Sequence, residues 1–538
     1  MKSIKKSVFS VLSSIIVVIS FSACSDDVNF TEQGSAPSTN NFSVSDVRVL
    51  ESGIVSTQSN QRALTRGGDY EFRAEDFVIT PISEEKAKTR ALTTGEAGAD
   101  GKSVASMYRW VTLLYTCKTA DGTEKELSEL IVWPYFGSLI GDGTPKQLVV
   151  GCHSTITSDE QRPTNFSNMS AAGEINMLAL FSSILSQKAL VIVPDYEGYG
   201  ITASSPHPYC NRELTAEQVV TGVKAGLSWF EKEITKMDKN WSGVAVGYSQ
   251  GGAVAAGVLR YCQKHSESSL RLKGAVCGDG PYDPLATLKR YIDMDHLYMP
   301  VAPTLLLKGA VDTDPEMKAA GCNYQDFVTD EFYETGIFKM IGDKKMSTDD
   351  IQDALLKHSL QYGDDGGFVM KAKCGEGFLP YTQKNLVDGK GKKRMFELEN
   401  GKGYNYCTVD QCLKPEVIEY FRNGTISGDV PEAKLKALEK AMAKNALTAG
   451  GYTPGKGFTF FHSIGDEVVP YCNFESVRNT WGIDGIIALS YQSETTLHVA
   501  TGAAFFVKYC GSLVDEILKD KWAPREETVG DHFWARRD

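Results

Sequence analysis

Spaced cysteine motifs are the first thing missing. The chain has 12 cysteines, but no two are arranged as CxxC, so it carries neither a zinc-type nor a thiol-redox signature. Basic residues are also short: 56 Lys and Arg against 68 Asp and Glu give a formal net charge of −12. That balance excludes nucleic acid as an expected partner, because phosphate binding needs clustered Lys and Arg. Long apolar runs are absent too. The one run of note, from Val8 to Phe21, is shorter than the roughly 20 residues that span a bilayer comfortably. No internal repeat is evident. What is present is the composition of a folded protein, 42% hydrophobic and 23% charged. With 538 residues the chain can bury a large core, either as several small domains or as one core with an insertion.

The opening stretch "MKSIKKSVFSVLSSIIVVISFSACSDD" places Lys2, Lys5 and Lys6 before the apolar run and small residues after it, the layout of an export signal. "FSAC" resembles a bacterial lipobox, with Phe21 where Leu is usual. Residues 1–23 are therefore expected to be removed and Cys24 to become a lipid-modified N-terminus that anchors the protein to a membrane. "SDD" resembles the acidic signals that send some Gram-negative lipoproteins to the outer surface. The expected location is the outer membrane or cell surface, facing outward. A plain secretory signal, giving a periplasmic or secreted protein, is the alternative. Without Cys24 an odd 11 cysteines remain, which are read mostly as buried apolar thiols. Cys407 and Cys412 are near enough in sequence to close a small loop.

Residues 24–105, rich in Ser, Thr, Asn, Gly and charge, read as a tether and lead-in. "RWVTLLYTCKTADGTEKELSELIVWP" then reads as an antiparallel hairpin about "TADGTE", ending at Pro134. Short buried strands in "KQLVVGCHSTIT" and "QKALVIVPDYEGYG" alternate with helical patterns in "AGEINMLALFSSILSQ" and "ELTAEQVVTGVKAGLSWFEKEI". Such alternation indicates a mainly parallel sheet covered on both faces. The pattern holds over 106–283, gives way to helix-rich sequence over 284–453, and resumes over 454–538. One α/β core interrupted by an inserted helical cap is the expected architecture.

Within the first part of that core lies "WSGVAVGYSQGGAVAAGVLRYC", from Trp241 to Cys262. "SGVAV" has the character of a buried strand, and the small and apolar residues after Ser249 have helical spacing. The chain must turn sharply at Ser249, and Gly247 and Gly251 lack the β-carbons that would clash there. The hydroxyl is thereby raised at the start of a helix, whose N-terminus favours developing negative charge, with the Gln250 N–H available as an oxyanion donor. The competing structural role is a serine that only caps the helix.

A serine nucleophile needs a histidine to take its proton and a carboxylate to orient that histidine. On this kind of turn the acid comes next in the chain and the histidine last. After the resumed strand "FTFF", the loop "HSIGDEVVPY" puts Asp466 at a strand end, with Glu467 as the weaker rival. Of the eight histidines only His498 and His532 lie beyond it. His498 follows the strand-like "IIALSYQ", whereas His532 sits in a polar tail with no strand read before it. The expected set is Ser249, Asp466 and His498.

Together with "PDYEGYG" from Pro194, "HPY" from His207, "GDEVVPY" from Gly465 and "TLHVATG" from Thr496, "GYSQGG" makes the chain resemble the α/β-hydrolase superfamily and, within it, the secretory-lipase-like esterases. The resemblance runs over roughly Tyr108 to Asp283 and Gly451 to Leu513. It implies an α/β-hydrolase fold and Ser249, Asp466 and His498 as a triad. It also implies a second oxyanion donor in the "CHSTIT" loop, where Ser154 stands in place of glycine. His153 is read as shaping that loop, and Asp195, Tyr196 and His207 as bracing the pocket; Asp195 could equally be a structural turn residue.

The implied activity is carboxylic-ester hydrolysis through an acyl-enzyme, with no metal or organic cofactor, on a small-molecule, lipid or acylated-glycan ester. Two other readings stay open: a serine peptidase or amidase of the same fold, and a surface binding lipoprotein without turnover.

Overall fold

The computed structural model describes residues 47–59, 77–87, 105–135, 144–168, 189–294, 296–362, 371–374, 377–380, 405–492 and 498–530. The export signal, Cys24, the helix expected in "AGEINMLALFSSILSQ" and His532 lie outside these residues.

The strands, in chain order, are β1 (Arg48–Ser59), β2 (Phe77–Pro81), β3 (Ala105–Lys118), β4 (Glu124–Pro134), β5 (Gln147–Cys152), β6 (Ala189–Pro194), β7 (Ser242–Tyr248), β8 (Leu272–Gly278), β9 (His296–Leu297), β10 (Lys371–Cys374), β11 (Gly377–Pro380), β12 (Asn405–Thr408), β13 (Phe458–Ser463), β14 (Ile486–Gln492) and β15 (Arg525–Gly530). Eleven of them form one sheet in the order β15-β14-β13-β8-β7-β5-β6-β4-β3-β1-β2. From β15 to β6 neighbours run parallel. From β6 to β2 they run antiparallel. The hairpin read around "TADGTE" is β3 and β4, in register from Lys118 opposite Glu124 to Tyr108 opposite Pro134.

Parallel strands buried on both faces need apolar residues at every position, which is why "ALVIVP" and "SGVAVGY" are buried throughout. Alternate residues of β7 serve opposite faces. Ala245 joins a cluster with Val219, Val223 and Phe230 of helix α1 (Arg212–Glu233) and Ala255 and Leu259 of helix α2 (Gln250–Lys264). Val244 and Val246 join Phe505, Leu513 and Ile517 on the other side. Each such Val, Leu or Phe contributes roughly 1.5–3 kcal/mol by leaving water.

Between β8 and β13 the chain is helix-rich, including Pro284–Met294, Val301–Thr313, Thr348–Tyr362 and Glu432–Ala443. It also holds a small sheet in the order β11-β10-β12-β9, which the helical reading did not foresee. This segment has its own apolar cluster, built on Leu305, Phe327, Ile351, Val417 and Leu438.

Two further readings need correcting. The lead-in is not all tether, because β1 and β2 extend the main sheet at its antiparallel edge. The tail before His532 does contain a strand: β15 pairs in parallel with β14. β2 and β15 are the two edges of the sheet, while β1 pairs with β3 and β2 on its two sides and still leaves Val49 and Leu50 43% and 50% exposed.

Candidate active site

Ser249 lies between β7 and α2 with φ 58° and ψ −128°, a left-handed conformation that a side chain rarely adopts. The surrounding glycines explain why it is tolerated. A β-carbon on Gly247 would lie 2.2 Å from the Gly251 carbonyl oxygen, and one on Gly251 would lie 2.0 Å from the Cys152 carbonyl oxygen. The Ser249 N–H donates to the Gly278 carbonyl at 2.9 Å, pinning the turn to the end of β8. The side chain makes no helix cap, so the capping role is not the one it plays.

The expected partners converge on this hydroxyl. His498, which opens helix His498–Ala504, has Nε2 2.9 Å from Ser249 Oγ and Nδ1 2.5 Å from Asp466 Oδ2. Asp466 lies just past β13, and its Oδ1 accepts the N–H groups of Val468 and Val469 at 2.8 and 2.7 Å. The rival Glu467 instead accepts the backbone N–H of His498, at 3.0 Å. Ser249, Asp466 and His498 are all buried. Burial raises the Asp466 carboxyl against the pull of its N–H donors, and it lowers the His498 imidazole, which favours the uncharged ring.

On the opposite side of Ser249, Gln250 is the first residue of α2, where helix geometry leaves N–H groups without intrahelical partners. Ser154 follows β5, and its hydroxyl donates to the Tyr248 carbonyl at 3.0 Å, tying this loop to the end of β7. Among the described residues nothing bonds the Ser154 N–H. His153 stacks on Tyr196 with centroids 3.9 Å apart. Its Nδ1 lies 2.8 Å from the Ser154 carbonyl, and burial brings its pKa down to about 4. It shapes the loop as a neutral ring. Asp195 accepts from the Thr164 N–H, the Thr164 hydroxyl and the Ser128 hydroxyl, joining the end of β6 to β4 and to the loop after β5. His207 donates from Nδ1 to the Glu197 carbonyl and accepts from the Gln250 amide at 2.8 Å.

Beyond His207 is a cavity of about 180 Å³ where the core meets the helical segment, lined by Tyr199, Ser205, His207, Lys308, Asp312 and Lys344.

Sequence reasoning missed two residues that touch the Ser249–His498–Asp466 group. Tyr248 Oη is 2.5 Å from Asp279 Oδ2 and 2.6 Å from the His498 carbonyl oxygen. Asp279 follows β8, the strand beside β7, and its place at a strand end was the available signal. Asp279, Asp466 and His498 bring potential metal ligands within 4.8 Å of one another. Their atoms are already committed to Tyr248, Ser463, Val468, Val469 and Ser249, which makes a hydrogen-bonded relay rather than an open coordination shell.

A mainly parallel sheet with helices on both faces and a strand–serine–helix turn at its centre defines the α/β-hydrolase fold. Residues 161–352 match the family model for the secretory lipases. No curated protein matches the chain by sequence. Among solved structures, a ligand-bound form of the rice cell wall degrading esterase LipA from Xanthomonas oryzae is 16% identical with a TM-score of 0.55, over 88% of this chain and 98% of that one. A mutant of the same esterase aligns at 15% identity and TM-score 0.57, over 87% and 98%. These likenesses establish the fold.

Proposed function

We propose that the chain is a serine carboxylic-ester hydrolase of the esterase or lipase type. The observation that carries this reading is one imidazole bonded at Nε2 to the Ser249 hydroxyl and at Nδ1 to Asp466. The secretory lipase match over residues 161–352 supports the same class.

In this mechanism His498 takes the Ser249 proton as Oγ attacks the ester carbonyl, while Asp466 holds the imidazole in the tautomer whose Nε2 accepts. The N–H groups of Gln250 and Ser154 receive the oxyanion, in a buried site where such bonds are worth more than in water. His498 then hands its proton to the departing alcohol, the acyl-enzyme forms, and a water molecule activated by His498 releases the acid. No cofactor enters the cycle. The inserted segment acts as a cap over the core. Export, with Cys24 as a lipid anchor at the outer surface, fits an enzyme that meets acylated compounds outside the cell.

Ser249→Ala is expected to abolish hydrolysis of short-chain p-nitrophenyl esters while the circular dichroism spectrum stays that of the parent; undiminished turnover would remove Ser249 from the mechanism. Aminoacyl amides cleaved faster than matched esters would instead favour the peptidase reading. Failure of a fluorophosphonate to label Ser249 in folded protein would favour a binding role.

A further inference from the structure

Tyr248 has one hydroxyl proton and two neighbours that accept: Asp279 Oδ2 at 2.5 Å and the His498 carbonyl oxygen at 2.6 Å. A carbonyl oxygen never carries a proton. Were Asp279 a carboxylate, one of these two contacts would bring lone pair against lone pair. A proton on Asp279 satisfies both, passing from Oδ2 to Tyr248 Oη while the tyrosine proton goes to the His498 carbonyl.

The surroundings agree. Asp279 is fully buried. Facing it are Tyr248 from β7, Asp466 and His462 from β13 and its loop, and His498. Its nearest basic group is His462, whose Nδ1 is 3.9 Å from Asp279 Oδ1. The His462 Nε2–H donates to the Val469 carbonyl and Nδ1 has no hydrogen-bond partner, so this ring offers a lone pair and no charge. Two adjacent buried carboxyls cannot both ionise. Asp466 accepts two backbone N–H groups and the imidazole N–H, whereas Asp279 accepts one backbone N–H, that of Ser463 at 2.7 Å. The negative charge therefore stays on Asp466. Burial first, and then the charge of Asp466, push the Asp279 carboxyl well above the usual carboxylate range. The tyrosine is also given its place by the backbone: a β-carbon on Gly278 would lie 2.5 Å from the Tyr248 ring, and one on Gly502 would lie 2.8 Å from it.

We propose that Asp279 is a positioning residue that works as a neutral carboxylic acid, holding the His498 backbone through Tyr248 so that the imidazole stays aligned between Ser249 and Asp466. This rests on the ester-hydrolase reading for its kinetic consequences but not for its protonation.

The test compares the parent with Asp279→Asn, Asp279→Ala and Tyr248→Phe. Asp279→Asn, which keeps a neutral donor, should leave the acid limb of the kcat/KM profile at the parent midpoint and retain more kcat than Asp279→Ala. Asp279→Ala and Tyr248→Phe should each lose about tenfold or more in kcat, as misplaced catalytic groups do, with little change in KM. An acid limb that falls by about one pH unit in Asp279→Asn would mean a negative charge had been removed beside the imidazole, and would overturn the proposal. Infrared difference spectra need no substrate: the parent should show a carboxylic-acid carbonyl stretch that Asp279→Asn lacks. Should that variant not fold, Tyr248→Phe should shift the same band by removing its acceptor. No acid band, or no shift, overturns the proposal even if esters are hydrolysed, whereas an acid band in a chain inert to esters and fluorophosphonates would sink only the hydrolase reading.

Discussion

At the scale of single residues, the site depends on backbone that only glycine permits. Holding Ser249 at φ 58° costs on the order of 1–3 kcal/mol, and the close approach of α2 to β5 and β8 keeps the turn from relaxing. Gly251 is the tightest of these contacts, since its missing β-carbon would meet the carbonyl oxygens of Cys152 at 2.0 Å and His153 at 2.8 Å. Both are backbone atoms that cannot swing aside. Gly251→Ala should therefore destabilise the fold by about 1–3 kcal/mol and, by shifting the start of α2, slow fluorophosphonate labelling of Ser249. A urea midpoint and labelling rate equal to the parent's would show that the turn has slack. Ser249, Gly247 and Gly251 were legible because their spacing is local. Asp466 and His498 were legible because so few histidines lie late in the chain. Asp279 was not, since the proton on its carboxyl depends on Tyr248, His462, Asp466 and His498, brought from three other segments of the chain.

At the scale of elements, β4 and α1 meet around a buried acid. Glu129 of β4 is fully buried, and neither carboxyl oxygen finds a hydrogen-bond partner among the described residues. Gly222 and Gly226, one turn apart on α1, make the recess that holds it: β-carbons there would lie 2.8 and 2.4 Å from its two oxygens. Burial, helped by the charge of Asp195, holds this carboxyl well above its usual range, so the folded protein keeps it neutral. In the unfolded chain it ionises near pH ~4.3. Above that pH the folded state binds the extra proton, and stability falls as pH rises toward the folded pKa. Replacing Glu129 with Met should raise stability at pH 8 by about 1–3 kcal/mol, by removing an unsatisfied buried group, and should flatten the decline between pH 5 and 8. Urea unfolding at both pH values reads this directly; equal free energies at pH 8 would mean the carboxyl is satisfied after all. The same hairpin shows how far element-level reading reaches. Its turn and ends were visible in "TADGTE" and Pro134, but a glutamate in "ELSELIVWP" looks like a solvent-facing residue until α1 covers it. β1 and β2 escaped notice inside a stretch rich in Ser, Thr, Asn, Gly and charge, and β15 because it is a polar edge strand with no fully buried residue.

At the scale of the whole molecule, two apolar clusters meet across a polar seam, one under the sheet and one within the helical segment. The seam is stitched near the candidate site by residues 344–346. The Asp159 N–H donates to the Lys344 carbonyl and the Thr157 hydroxyl to the Met346 carbonyl, both at 2.8 Å. From the other direction, Lys344 Nζ donates to the carbonyls of Ala203 and Ser205 at 2.8 and 2.5 Å. Its ammonium is buried with no carboxylate in ion-pair reach among the described residues, and desolvation brings its pKa down to about 8. A charge held at that cost is retained for the two carbonyls it ties, and it also walls the 180 Å³ cavity behind His207. Lys344→Met keeps the stem and removes the donors. Amide exchange at Asp159 and around Lys344 should then quicken while exchange in β5, β6 and β7 stays slow, because local opening leaves the sheet untouched. Exchange at Asp159 as slow as in the parent would mean that the Thr157 and Asp159 bonds close the seam unaided.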